Sequence, residues 1–447
     1  MNNQPITTTD NNGKKPYHLN DNEKSLHFEN LKKIAKVIKE IQPEKNPNLL
    51  IFPTDFNKYG DKIGEERIFT LDNDKIKTGN IMGFVGVNGT QVDIKSRFAK
   101  KDGEDYFLHY MLQKVFAINL FDIKHTTNKQ QIFDFLLYLF PYYLKKAVAQ
   151  GLFKKYRKFE HNDANIRGPI NISRHIRENI PFRGTVAYTT REHSYDNEIT
   201  QLVRHTIEYI RTTRFGSGIL NNDTEAKECV SQIVMATQSY NARERQKVIN
   251  QNLRPIRHPY YSEYTPLQKI CLQILRHESL KYGQEKDKIY GILFDGAWLW
   301  EEYLNTILKS CGFKHPENKS HKGGLKMFKN DAENEAISKN SRKLYPDFWK
   351  DNFILDAKYK HLNSGVGRED LYQVVTYMYC TKAANGAYVY PYEKNEKYVT
   401  YQLDGYEGRI HVIPFYVPQS GKDYGDFIGE VNNSEKTLRK CVNNKED

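Results

Sequence analysis

Cysteine is scarce: the 447 residues hold five (Cys229, Cys271, Cys311, Cys380 and Cys441), each isolated, with no CxxC and no paired spacing. A disulfide framework and a cysteine zinc centre are thereby excluded. Long apolar runs are missing as well. The longest, Ile132 to Leu144, is broken by Asp134 and Pro141 and stops short of the roughly 20 residues that cross a bilayer, so no membrane helix is expected. The opening stretch, MNNQPITTTDNNGKK, lacks the apolar segment of a secretory signal, which makes the cytoplasm the expected location. There is no GxxxxGK[ST] phosphate loop, so any nucleotide-driven step would have to come from another subunit. Nor does a repeat of roughly 20 to 50 residues emerge.

What is present is cationic and aromatic. Sixty-seven Lys and Arg against 55 Asp and Glu leave a formal charge of +12, which concentrates polyanions near the surface and makes nucleic acid the natural partner class. Aromatics at 13% are too many for a disordered chain. The length suits two to four domains, each with its own core.

The pattern along the chain divides into regions. Residues 1–25 and 431–447 are polar and aperiodic and read as disordered tails. Region 26–150 begins with a helical pattern at Asn30–Ile41 and turns strand-like at Leu49–Phe52. It then forms a hairpin in which Asn88-Gly89 supplies the two positive-φ positions of a type I′ turn between Phe84–Val87 and Thr90–Ile94. Beyond Tyr106 the periodicity becomes helical, with an interruption expected at Pro141. The middle region, 151–285, reads as helical, with helices near Glu198–Arg211 and Asp223–Asn250. It opens with Lys154, Lys155, Tyr156, Arg157 and Lys158, where cations interleave with an aromatic as on a surface that tracks phosphates; a solvated helix face explains the run equally well.

The chemistry concentrates in region 286–430. Lys350-Asp351-Asn352 is a turn between two apolar, β-prone runs, which puts Asp347 on one arm of a hairpin and Asp356 on the other. Asp356 and Lys358, two apart, project from the same strand face. Two carboxylates of this kind bind Mg²⁺ (or Mn²⁺) through hard oxygens, the metal polarises a phosphoryl oxygen and acidifies a water, and a nearby lysine offsets developing charge. The carbonyl of Ala357 offers a further ligand. An acid two residues before a lysine also occurs at Asp93/Lys95, Asp122/Lys124, Glu225/Lys227 and Glu317/Lys319, so the bare pattern carries little. Only Asp356/Lys358 sits in an apolar strand with a Pro-Asp across a hairpin turn.

Two flanking helices complete the pattern. One starts at Asp295 as its N-cap, buries Leu299, Tyr303, Ile307 and Leu308, and carries Glu301 and Glu302 as sources of a third carboxylate. The other, Gly367–Tyr379, puts Asp370, Gln373 and Tyr377 on one polar stripe. Strands follow at Gly386–Tyr390, Tyr398–Gln402 and Arg409–Val417. The order helix, hairpin, helix, strand predicts an α/β sandwich around a short mixed sheet.

Leu299-Trp300-Glu301-Glu302-Tyr303, Tyr345-Pro346-Asp347, Leu355 to Lys360 and Asp370 to Tyr377 together resemble the PD-(D/E)xK nuclease core of the McrC family, the endonuclease subunit of McrBC-type restriction systems. Gly83–Gly86, Ile94–Phe98 and Asp105–Leu108 are similar to that family's N-terminal part. The resemblance implies an α+β chain in which a mixed β/helical N-terminal region, docking a partner, precedes a restriction-endonuclease-like domain. It implies a Mg²⁺-dependent DNA endonuclease of antiviral defence with Glu301, Asp347, Asp356 and Lys358 as the active-site set and Gln373 and Tyr377 in support. Its partners would be double-stranded DNA and an McrB-like AAA+ GTPase hexamer. It leaves open whether nuclease domains dimerise to cut both strands. A catalytically silent DNA-binding or GTPase-activating subunit, and a stand-alone repair nuclease, are the competing expectations.

Overall fold

The computed structural model describes residues 5–41, 46, 49–53, 67–100, 105–116, 128–213, 216–221, 224–276, 289–316, 324–327, 343–362, 365–394, 396–404, 407–420 and 423–443. They form a mixed α/β protein with several separate sheets. The chain divides into two compact units: residues 1–122 together with 283–447, and residues 123–282 inserted between them.

The first unit contains the expected hairpin. Strands Ile81–Val87 and Thr90–Lys95 pair around Asn88 and Gly89, whose φ values of 48° and 83° are those of a type I′ turn. Three further strands make this a five-stranded sheet. Leu49–Phe52 runs parallel to Tyr290–Asp295, which in turn lies antiparallel to Ile81–Val87. The expected boundary near 286 therefore does not separate domains, because Tyr290–Asp295 is a strand of the N-terminal sheet.

The fifth strand corrects the expected N-terminal tail. Ile6–Thr9 pairs in parallel with Thr90–Lys95 and buries alternate residues, and the helix Asp21–Ile34 begins inside the same segment, closed by an Asn20/Glu23 capping box. The partner that anchors the segment is remote in sequence: Asp10, fully buried, accepts hydrogen bonds from the Arg97 side chain at 2.5 and 2.9 Å. The C-terminal tail is corrected likewise. Tyr424–Asn443 is one helix that buries Phe427, Val431, Leu438 and Val442 at helical spacing. Its Glu435 is also buried, accepting from the hydroxyls of Tyr110 and Tyr303.

The second sheet of this unit has the order Phe348–Lys350, Phe353–Ala357, Asn385–Tyr392, Arg409–Tyr416, Val399–Gln402. Phe353–Ala357 and Asn385–Tyr392 are parallel, so their connection must cross over, and the helix Arg368–Thr381 makes that crossing. Val374 and Met378 of this helix lie against Gly386, where an added Cβ would come within 2.8 Å of Val374 Cγ1 and 2.6 Å of Met378 Sδ. The missing side chain lets helix and sheet approach.

In the second unit the helix Asn128–Ala149 continues through Pro141. The expected break does not occur, because the buried Leu136, Leu137, Leu139, Phe140, Leu144 and Ala147 gain more than one missing backbone hydrogen bond costs. The region is not helical throughout. Lys155–Asp163 and Val186–Ser194 are nine-residue strands paired antiparallel. Lys155–Asp163 is mostly exposed and Val186–Ser194 buries only Ala187, Tyr188 and Thr190, so the apolar two-residue alternation that would have announced them is missing. Between them the short helix Ile172–Asn179 leaves Ile172 and Ile176 exposed, and Ile180 and Phe182 beyond it are exposed as well.

Candidate active site

The hairpin forms as expected. Phe348–Lys350 and Phe353–Ala357 pair antiparallel around the two-residue turn Asp351-Asn352. Asp347 stands one residue before the first strand and reaches across to the second, where its Oδ2 accepts the backbone N–H of Ala357 at 2.7 Å. It is thereby brought within hydrogen-bond reach of Asp356. The His315 ring holds the other side of Asp347, with Nδ1 2.7 Å from its carbonyl oxygen while stacking on Phe348.

Asp356 is 2% exposed, so its ionised form has lost most of its water. Burial pushes its carboxyl above the usual range, and the ammonium of Lys358 opposes this. Lys358 Nζ lies 2.7 Å from Asp356 Oδ2. That contact is an ion pair by distance, yet it is not aligned as a hydrogen bond, and Oδ2 has no other hydrogen-bond partner among the described residues. Burial works to lower the Lys358 ammonium, but Asp356 and Asp370 together raise it above the ordinary lysine value. The expected same-face geometry of Asp356 and Lys358 is present.

Asp370 is the residue that reading the chain placed on a polar stripe without giving it a role. It lies in the first turn of Arg368–Thr381 and pairs with two lysines of the segment that follows Phe353–Ala357: Lys358 at 3.1 Å and Lys360 at 2.5 Å. Burial alone would raise its carboxyl, but Lys360 and Lys358 hold it below the ordinary aspartate value. Its backbone carbonyl accepts from Tyr388 OH at 2.7 Å, and Tyr388 is the register partner of Asp356 on the neighbouring strand. The signal for Asp370 was available, since Lys358 and Lys360 share one strand face and two adjacent ammonium groups require a counter-charge.

Gln373 and Tyr377 are joined to each other, and Tyr377 lies near enough to Asp347 and Asp356 for their charge to act on its hydroxyl. Gln373 Nε2 donates to Tyr377 OH at 2.9 Å, and that hydroxyl donates to the carbonyl of Tyr345 at 3.4 Å, two residues before Asp347. Glu301 lies half-buried on Gly296–Leu308, a helix capped by Asp295 as expected. That helix packs against Phe353–Ala357. Among the described residues no group of three or more His, Cys, Asp or Glu side chains converges on one point. The pair Asp347 and Asp356 is the carboxylate set the hairpin assembles. A buried and a half-buried carboxylate, with the Lys358 ammonium beside Asp356 Oδ2, make an oxygen pair of the kind that suits a hard divalent cation.

The four cations of the middle region do not form one stripe. Lys154 sits over the Tyr195 ring at 4.9 Å, Lys155 pairs with Glu198, and Arg157 donates to the Asp196 carbonyl at 2.8 Å. Lys158 is exposed on the face opposite to Lys155 and Arg157, because strand side chains alternate.

Solved structures similar to this chain include two from Thermococcus gammatolerans. One is a half-complex from a tetradecameric assembly of Thermococcus gammatolerans McrB AAA+ hexamers with bound McrC: 15% identity, 98% of this chain and 100% of that one covered, TM-score 0.45. The other is the cryo-EM structure of the Thermococcus gammatolerans McrBC complex: 15% identity, 70% and 90% covered, TM-score 0.31. No curated protein matches the chain. The sequence model of the McrBC 5-methylcytosine restriction system component family matches residues 76–391, more than two thirds of the chain, and the protein belongs to that family.

Proposed function

We propose that this chain is the DNA endonuclease subunit of an McrBC-type restriction system, with a PD-(D/E)xK active site built on the 348–357 hairpin. The observation that carries this reading is the convergence of Asp347, Asp356 and Lys358, in which one carboxylate crosses the hairpin to the strand that bears the other two groups. Asp347 and Asp356, with the Ala357 carbonyl, would hold Mg²⁺ or Mn²⁺, which when bound polarises the scissile phosphodiester and acidifies the attacking water. Lys358 would offset negative charge on the phosphate. Asp370 keeps that ammonium aimed, and Tyr377 with Gln373 fixes the backbone that leads into Asp347. Glu301 is proposed as the third carboxylate from the neighbouring helix, and the exposed Lys158, with its neighbours Lys154, Lys155 and Arg157, as cations that meet DNA.

The partner belongs to the proposal too. The chain lacks a phosphate loop, so an AAA+ GTPase would supply the nucleotide-driven work while this subunit cuts. The exposed Ile172, Ile176, Ile180 and Phe182 support a protein contact on the second unit, since exposed apolar groups of this size gathered in one segment mark interaction surfaces.

Replacing Asp356 by Ala removes a metal ligand and is expected to lower Mg²⁺-dependent DNA cleavage by at least about a hundredfold, while copurification with the GTPase subunit persists. Lys358→Ala is expected to cut the rate but leave Mn²⁺ binding in place. Undiminished cleavage by Asp356→Ala would refute the site. Absence of cleavage by the parent chain, with GTPase stimulation retained, would favour a silent activating subunit.

A further inference from the structure

We propose that Tyr359 is a positioning residue for Lys358, the bolt by which the N-terminal sheet holds the register of the strand that bears the site. The inference rests on the nuclease reading above for its catalytic consequence, but the bolt itself is a feature of the fold.

Alternation along the chain sends Asp356, Lys358 and Lys360 toward the helix that carries Asp370, and Ala357 and Tyr359 the other way. Tyr359 is 6% exposed. Its hydroxyl lies 3.0 Å from Ser96 Oγ, on the turn that follows Thr90–Lys95, and 3.5 Å from Met82 Sδ. The Arg97 guanidinium sits over its ring at 4.9 Å, and the Phe98 ring meets it edge-on at 5.3 Å. The fourth wall is Gly296, where an added Cβ would stand 2.6 Å from Tyr359 Cε1. Three consecutive residues and a missing side chain therefore form a socket for one ring.

The socket is rigid for reasons that lie outside the site. Ser96 is fully buried and its N–H donates to Asp105 Oδ2 at 2.5 Å. Asp10 accepts the Arg97 N–H at 2.5 Å as well as its guanidinium, and Asn80 Oδ1 takes another guanidinium N–H at 2.6 Å. Buried, fully paired polar groups of this kind leave little freedom. On the other side of Tyr359, Lys358 N–H donates to the Val389 carbonyl at 2.9 Å and Ala357 N–H to Asp347. A shift of Tyr359 therefore disturbs both the ammonium and the carboxylate contact that assembles the site.

The test uses the full chain carrying Tyr359→Phe, Ser96→Ala, or both; each single change deletes the same hydroxyl–hydroxyl contact and keeps the ring, and Ser96→Ala also removes the acceptor of the Phe98 N–H at 3.1 Å. Two readouts are taken: amide hydrogen exchange of the peptide spanning Ile354–Leu362, and steady-state cleavage of plasmid DNA with Mn²⁺ and the GTPase subunit. Loss of one buried hydrogen bond is expected to speed exchange at Ala357 and Lys358 about tenfold and to lower kcat about tenfold. The KM for DNA should stay within about twofold, and the double variant should be no worse than Ser96→Ala alone. Exchange at parental rates in both singles overturns the bolt, as does a rise in KM with kcat unchanged, or additive losses in the double variant. Should Asp356→Ala still cut DNA, the nuclease reading fails instead, and the exchange measurement alone decides whether Tyr359 holds the strand.

Discussion

His205 illustrates how far a single side chain's behaviour depends on what surrounds it. It is 1% exposed, and neither ring nitrogen has a hydrogen-bond partner among the described residues. Burial, aided by Arg245, pushes its imidazole down to about 4. A depressed histidine is neutral in the folded state while the unfolded chain takes up a proton near 6.5, so stability is lost as pH falls from about 6.5 toward 4. His205→Leu is expected to remove this loss: its stability advantage over the parent, read by denaturant melts, should be roughly 2 kcal/mol larger at pH 5 than at pH 7. Asp105 runs in the opposite direction. Burial raises its carboxyl to about 7 although it accepts from the N–H groups of Ser96 and Leu108, so ionising it costs stability as pH rises from about 4 through 7. At the site itself, Asp347, Asp356 and Lys358 were legible because a turn, an alternation and a Pro-Asp all lie within 12 residues of one another. His315 and Tyr388 were not, since their roles depend on strands that meet only in the folded sheet.

At the scale of elements, helix Arg368–Thr381 and strand Asn385–Tyr392 form the platform that aligns Asp370 with Lys358 and Lys360. Their closeness depends on Gly386. Gly386→Ala would set a methyl group against Met378 and Val374 and is expected to cost about 1–3 kcal/mol in overpacking, read as a lowered melting temperature. On the proposed nuclease reading it should also lower DNA cleavage, because the helix that carries Asp370 must lift. The elements read correctly from the chain were those with a local signature: the Asn88-Gly89 hairpin, the helix after Asp295, and the hairpin around Asp351-Asn352. The elements misread lacked one. The Lys155–Asp163 and Val186–Ser194 ribbon is exposed along much of its length, so no apolar period marks it, and the helix through Pro141 is held by burial that sequence spacing alone does not disclose.

For the molecule as a whole, the segments 6–10 and Tyr424–Asn443 are structural. Ile6–Thr9 completes the first sheet, Asp10 neutralises Arg97, and the Tyr424–Asn443 helix carries Glu435 into contact with Tyr110 and Tyr303. Deleting residues 1–10 strips Arg97 of its buried carboxylate and is expected to destabilise the first unit by about 3–5 kcal/mol, which denaturant unfolding would detect. The Asp10→Asn variant, which keeps the strand and removes the charge, should reproduce most of that loss. If the truncated chain is as stable as the parent, the N-terminal strand is an ornament of the sheet rather than part of its core.

The sequence by itself determined the local chemistry: the hairpin, the paired aspartates, the lysine on their face, and the family resemblance that those residues carry. These features depend on neighbours a few residues apart, where backbone geometry dictates which side chains share a face. Only the tertiary structure decided that the N-terminal sheet and the Asp356 strand belong to one compact unit and that Tyr359 is socketed by Ser96 and Arg97. Those contacts join residues far apart in the chain. Their partners are selected by burial and charge neutralisation in three dimensions, which no spacing along the sequence records.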